Sequence, residues 1–477
     1  RVMFIGEIAK KAENLNREAD KSYLVAKAEA DPAKAFALHE EARALYTKAA
    51  DEYKRLRVET DVVDTKKTAL LNALALYYKA EQWESCFESL DLAEAMLREA
   101  LQDNTKQTQN AKSLLDVVER RAKLQYQFFR IPEAIANFQE VYKMDPDGTK
   151  GQESLLNAAL LAFRNGNYDL AMQLNEEIVR KFANQPKRKQ AVDDANWRIT
   201  ECFEKKGDVK GHVDSLFTFV DRYKKDRDAS DKVFKAWAVI ANIYRSRGDT
   251  KKEFQTWNLI VAEFEKGGFA KDGKPEATAT AEAQFRIIEP RYDAFLLMKL
   301  TPNPKMPAGK QIQQLQKQLR GMLDVVVGPE QKKKNAETGQ EYTVRDGGLY
   351  KEYLDNVALY GSQNWSYAAM LYRAKALQHL ARTIYGVPPP EELSEEEEEA
   401  YAEAIESVGA QIENKAISSL EAALKDAESK GVVNEWVTKL RAAINKYKPA
   451  EYPLLKEARR LQADPQGVAP APEKELR

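Results

Sequence analysis

Large apolar residues recur along most of the chain at steps of three and four, the spacing of one helix face. In KAWAVIANIYRSRGDTKKEFQTWNLIVAEFE, residues 235–265, the series Trp237, Ile240, Ala241, Tyr244 stops at Gly248. A second series, Phe254, Trp257, Ile260, Val261 and Phe264, then follows. Glycine accepts the positive φ that ends a helix, so the stretch predicts two helices joined by a tight turn at Gly248-Asp249. Such a pair cannot bury both apolar stripes by itself and calls for neighbours of the same kind.

The neighbours lie upstream. Ile199, Phe203 and Gly207, then His212, Leu216 and Phe219, reproduce the pattern, and Gly166, Gly207 and Gly248 stand 41 residues apart. Around Gly166, "NAALLAFRNGNYDLAMQLNEEIV" places Ala158, Ala162, Tyr168, Ala171 and Ile178 in equivalent positions. Earlier come "LQYQFFRIPEAIANFQEVYKMDP", with Ile131, Ala134, Phe138, Val141 and Pro146, and "NALALYYKAEQWESCFESLDLAEAML", with Tyr77, Trp83, Cys86, Leu90 and Ala93. These stretches predict five helix–turn–helix units over 61–267. Residues 1–60, with Ala42, Leu45, Tyr46, Ala49 and Tyr53, predict a capping helical pair, as the end of an array requires.

The order of a large residue, a small pair, an aromatic, a glycine, an aromatic, an alanine, an aromatic and a closing proline resembles the tetratricopeptide repeat (TPR). Trp237, Ile240-Ala241, Tyr244 and Gly248 carry the first helix of that motif; Tyr168 with Ala171, and Ala134 with Phe138 and Pro146, carry the second. The small residues let two helices approach closely while the aromatics fill the wedge between them. The resemblance implies an all-α, TPR-like helix–turn–helix solenoid, a superhelical array whose concave wall is lined by first helices. The units depart from it in length, about 37 to 48 residues against 34, and His212 and Glu253 stand where alanine is usual.

Repetition fades after residue 267. Residues 268–348 read as an irregular helical segment: a helix over 276–299 with Phe285, Ile288, Tyr292, Phe295 and Leu296 inward, kinked or split at Pro290, and another over 309–326. Within this segment, 328–348 reads as an exposed polar insertion with a short hairpin around Tyr342–Val344. Residues 349–459 return to helical pairs, with Gly361 at one turn and Ser394 and Glu397 spaced as a capping box. Residues 460–477, rich in proline and alanine, read as a disordered tail.

Composition narrows the function. The 477 residues hold 74 Lys and Arg against 75 Asp and Glu, a net charge of -1. No global positive field is available to displace counterions from a nucleic-acid backbone. Apolar residues make up 43% and mean hydropathy is -0.61, with no apolar run long enough to span a bilayer. Cys86 and Cys202 are too few and too distant for a disulfide framework or metal site and read as small core residues.

Catalytic motifs do not emerge. His39, His212 and His379 lack a second ligand at metal spacing. "GFAKDGKP", residues 268–275, resembles a phosphate-binding loop only until Pro275 replaces the hydroxyl residue. Glu395–Glu399 read as the solvated start of a capped helix, and Lys332–Lys334 as a solvated loop. No cofactor or metal is expected, and the chain reads as a non-enzyme that binds other proteins. Registering the repeats on their glycines directs Leu160, Phe163, Arg164, Trp197, Glu201, Lys205, Asn242 and Arg245 toward the groove, a mixed wall suited to an extended peptide or partner helix. Of the lysine–asparagine set with which some TPR proteins hold a terminal carboxylate, only Asn242 matches; Ala238 occupies the lysine position.

Residues 349–459 carry a second resemblance, in the order of aromatic, proline and acidic landmarks of "YAAMLYRAKALQHLARTIYGVPPPEELSEEEEEAYAEAI" and "GVVNEWVTKLRAAINKYKPAEYPLLKEAR". They look like the ends of TPR proteins of the bacterial adventurous gliding-motility (Glt/Agl) envelope machinery. That implies a periplasmic or outer-membrane-associated scaffold with envelope proteins as partners. A cytosolic adaptor or co-chaperone is the second reading, and an enzyme centred on 270–390 with a repeat arm the third. A signal peptide or lipid-acceptor cysteine ahead of Arg1 would favour the first, a plain Met start the second.

Overall fold

The computed structural model describes residues 2–101, 107–334, 340–391 and 393–454; the expected tail, 460–477, lies outside them. Two helices, α1 (Val2–Ala28) and α2 (Pro32–Glu59), form the N-terminal pair. Hairpins follow as α3 (Val63–Lys79) with α4 (Trp83–Ala100), α5 (Gln107–Gln127) with α6 (Ile131–Met144), and α7 (Thr149–Arg164) with α8 (Tyr168–Phe182); α9 (Lys189–Lys206) and α10 (Val209–Tyr223) come next in the chain, and then α11 (Ser230–Ser246) with α12 (Thr250–Gly267). The chain divides into two compact units, one ending at Val209 and the other beginning at Lys210.

The hairpins share one turn. At Gly166, Gly207 and Gly248, φ is 79°, 71° and 72°. In each, the glycine amide donates to the carbonyl three residues back and the next amide to the carbonyl five back, at 2.9–3.1 Å. This satisfies carbonyls that a helix end leaves without partners. The first two hairpins close by the same bonds without glycine: Glu81 and Phe129, both at φ 57°, donate to Tyr78 and Tyr126, and Gln82 and Arg130 to Tyr77 and Gln125, at 2.8–3.1 Å.

In the first unit each helix from α1 to α8 packs on the next in sequence. One core runs through Tyr46, Leu70, Tyr77, Leu90, Leu97 and Leu114, and a second through Phe138, Ala158, Ala162, Ala171, Ile178 and Phe182. The buried alanines permit close helix approach, and phenylalanine fills what remains. Buried Cys86 and Cys202 carry free thiols that desolvation pushes up to about 11.

In the second unit α13 (Pro275–Leu296) packs on both α11 and α12, as the first helix of a following repeat would. Phe285, Ile288, Tyr292 and Phe295 are buried as expected. Leu296 is 37% exposed, contrary to the sequence reading, because it lies off the buried stripe at the helix end. Pro290 does not split α13; the buried side chains on both sides of it hold the helix together across the missing hydrogen bond. Next come α14 (Ala308–Val327) and a hairpin of β1 (Glu330–Lys334) with β2 (Glu341–Arg345), antiparallel, within the expected insertion.

The expected helix before Gly361 is broken instead into α15 (Gly348–Glu352), a π-helical turn over Tyr353–Val357 and a 3-10 turn over Ala358–Tyr360. The wider turn accompanies full burial of both Tyr353 and Val357. α16 (Gln363–Tyr385) follows and packs on α13 and on α17 (Glu395–Ser429), which in turn packs on α18 (Glu435–Asn445). Ser394 and Glu397 form the expected capping box. From Glu395 to Val408 most side chains of α17 are exposed, and burial begins at Gly409.

Candidate functional site

The hairpin turns supply the register for the candidate binding wall. In the first unit, Leu160, Phe163 and Arg164 precede left-handed Gly166 by six, three and two residues on α7; Glu201 and Lys205 precede Gly207 by six and two on α9. Leu160, Phe163, Trp197 and Glu201 are half-buried, whereas Arg164 and Lys205 are exposed. The Phe163 ring meets Tyr168 edge-on at 5.8 Å, which fixes it against its own turn. Trp197 Nε1 donates to Glu201 Oε1 at 2.8 Å, one helical turn away. Behind them half-buried Arg198 donates to the side-chain oxygen of buried Asn175 at 3.1 Å and ties α9 to α8; desolvation lowers the pKa of its guanidinium. The result is a pre-set row of aromatic, apolar and charged groups, each partly open to solvent.

In the second unit Asn242 and Arg245 belong to a polar cluster between α11 and α13. Asn242 Nδ2 donates to Glu282 at 3.1 Å, and Arg245 pairs with Glu289 at 2.7 Å and Glu253 at 3.5 Å. Glu253, in a slot where alanine is usual, also accepts from Trp257 Nε1 at 3.3 Å, so its burial is compensated on two sides. Arg286 joins Glu289 at 3.2 Å and lies over the Trp365 ring at 5.2 Å. Burial raises the pKa of Glu282 and of Asp293. These groups knit helices together; of the two predicted site residues here, Arg245 is exposed and Asn242 half-buried.

Alignment on glycine hides part of the wall. The left-handed residues Glu81 and Phe129 extend the same register to α3 and α5, placing Tyr78 at the position of Phe163, Lys123 at that of Leu160, and Gln127 at that of Arg164. The usable sequence signal is the aromatic three residues before the first three of these turns: Tyr78, Tyr126 and Phe163.

No family model matches the chain, and no curated protein matches it. Solved structures similar to it include a tetratricopeptide repeat protein from Parabacteroides merdae, at 13% identity over 65% of this chain and 99% of that one, TM-score 0.25. A signal-transduction ATPase with a tetratricopeptide repeat sensor from Pyrococcus horikoshii is 12% identical over 86% of this chain and 53% of that one, TM-score 0.28. The structure of Naa15/Naa10 bound to HypK-THB is 12% identical over 96% and 95%, TM-score 0.24. The fold is TPR-like and all-α. What establishes the repeats is the shared turn and the packing of consecutive helices in the chain itself. Among the described residues no helix is long and apolar enough to cross a membrane, and no group of three or more His, Cys, Asp or Glu is placed to hold a metal ion.

Proposed function

We propose that the chain is a non-catalytic scaffold that binds segments of partner proteins along the first-helix wall of its repeats. The supporting observation is the shared register of Leu160 with Glu201, six residues before their turns, and of Arg164 with Lys205, two before, with half-buried Phe163 and Trp197 on the same helices. Half-buried aromatics beside charged groups give a partner apolar area and orientation together. We place the scaffold in a bacterial envelope complex of the gliding-motility type, periplasmic or associated with the outer membrane, on the resemblance of residues 349–459.

Pull-down from native envelopes tests both parts. Wild-type chain should capture envelope proteins, and a Phe163→Ser/Trp197→Ala/Lys205→Glu variant with unchanged helicity should lose them. Undiminished capture by that variant overturns the wall; capture of cytosolic proteins alone overturns the location.

A further inference from the structure

We propose that the crevice between α3, α4 and α5 docks an acidic segment of a partner protein through a leucine- or phenylalanine-sized anchor. This deepens the scaffold reading and rests on it. The crevice holds about 320 Å³, roughly twice the ~150 Å³ that accommodates a benzene molecule. Its floor is Leu74, Leu90 and Leu124, each at most 3% exposed, with Cys86 beside them. Tyr78, 50% exposed, forms one lip, its ring set edge-on against Trp83 at 5.5 Å.

The opposite lip is cationic. Arg120 and Lys123 line it, and no carboxylate lines the crevice anywhere. Lys123 is partly neutralised by Glu119 at 2.7 Å. Arg120 is exposed and has no carboxylate partner among the described residues. In a chain whose charges balance to -1, an apolar slot whose charged lining is all cationic is a local departure. It favours a carboxylate next to the inserted side chain and disfavours a basic segment. Tyr78, Lys123 and Gln127 occupy the turn register of Phe163, Leu160 and Arg164, so the slot opens on the wall already described.

Fluorescence anisotropy on the full chain with labelled, amidated hexapeptides tests this. One peptide has a Leu-Phe centre flanked by glutamates; the others exchange the glutamates for lysines or the centre for Ala-Ala. The glutamate-flanked Leu-Phe peptide should bind at least about tenfold more tightly than either control. Arg120→Glu, a surface change checked by circular dichroism, should erase that preference, Arg120→Lys should keep most of it, and Tyr78→Ala should weaken binding about tenfold. Equal binding of the lysine-flanked peptide, or an unchanged preference in Arg120→Glu, overturns the proposal. So does full displacement by sodium decanoate at lower concentration than the peptide, which would make the occupant an acyl chain. The scaffold reading fails separately: it falls when the Phe163/Trp197/Lys205 variant still captures envelope proteins, and survives when only the Arg120 experiment fails.

Discussion

Replacing Phe129 by glycine should make the array more stable, although it deletes a large apolar side chain. Phe129 sits at φ 57° and the residue is 73% exposed, so it carries backbone strain with little burial to offset it. The left-handed conformation costs a side-chain-bearing residue about 1–2 kcal/mol, and glycine returns about 0.5–1 kcal/mol of that through the freer unfolded chain. The net gain is about 0.5–1 kcal/mol, confined to the α5–α6 hairpin because repeat arrays open locally. Hydrogen exchange followed by mass spectrometry over 107–144 should then slow about two- to fivefold. Phe129→Ala is the control, since alanine keeps the strain and should give no such gain. If alanine slows exchange as much as glycine, or glycine accelerates it, the strain argument is wrong.

Other outcomes follow from the packing. Glu81→Gly should gain less than Phe129→Gly, because Glu81 pairs with Arg43; the difference should close in an Arg43→Ala background. Gly409→Ala should destabilise the α16–α17 contact by about 1 kcal/mol, since an added Cβ would lie 2.4 Å from the Tyr385 ring; thermal melts should recover in the double variant with Tyr385→Ala. Both thiols, raised to about 11 and buried, should resist iodoacetamide at neutral pH in the folded chain and react at once in urea; prompt native labelling would contradict their burial. Glu282→Gln keeps the acceptor for Asn242 and removes a buried charge. The folded pKa of Glu282 lies above its ordinary value of 4.5 through burial. Its contribution to stability is therefore complete below that value and lost as pH rises through the folded pKa. The glutamine variant should melt higher than wild type at pH 7, with the gap shrinking toward pH 4.

The array was legible because the turn at Gly166, Gly207 and Gly248 needs a residue type that is visible in the sequence. The same backbone turn at Glu81 and Phe129 was invisible, because those side chains say nothing of a positive φ. Spacing alone gives Leu160 the register of Glu201 and Arg164 that of Lys205, but the partners of Asn242 and Arg245 could not be read from it. Glu282 and Glu289 lie some forty residues away on a helix outside the repeat rhythm. The helix before Gly361 failed for a related reason: periodicity registers the apolar side chains of Tyr353 and Val357, not the widened π-helical turn that accompanies their burial.

A rod clamped at one end shakes most at the other. α17 is gripped from Gly409 onward and, before that, has mostly water around it, with the Ser394–Glu397 box as its terminal fastening. Unzipping of that rod should start at Glu395 and travel toward Gly409, which makes this stretch the natural first cut for a protease and a tolerant place to splice in a reporter.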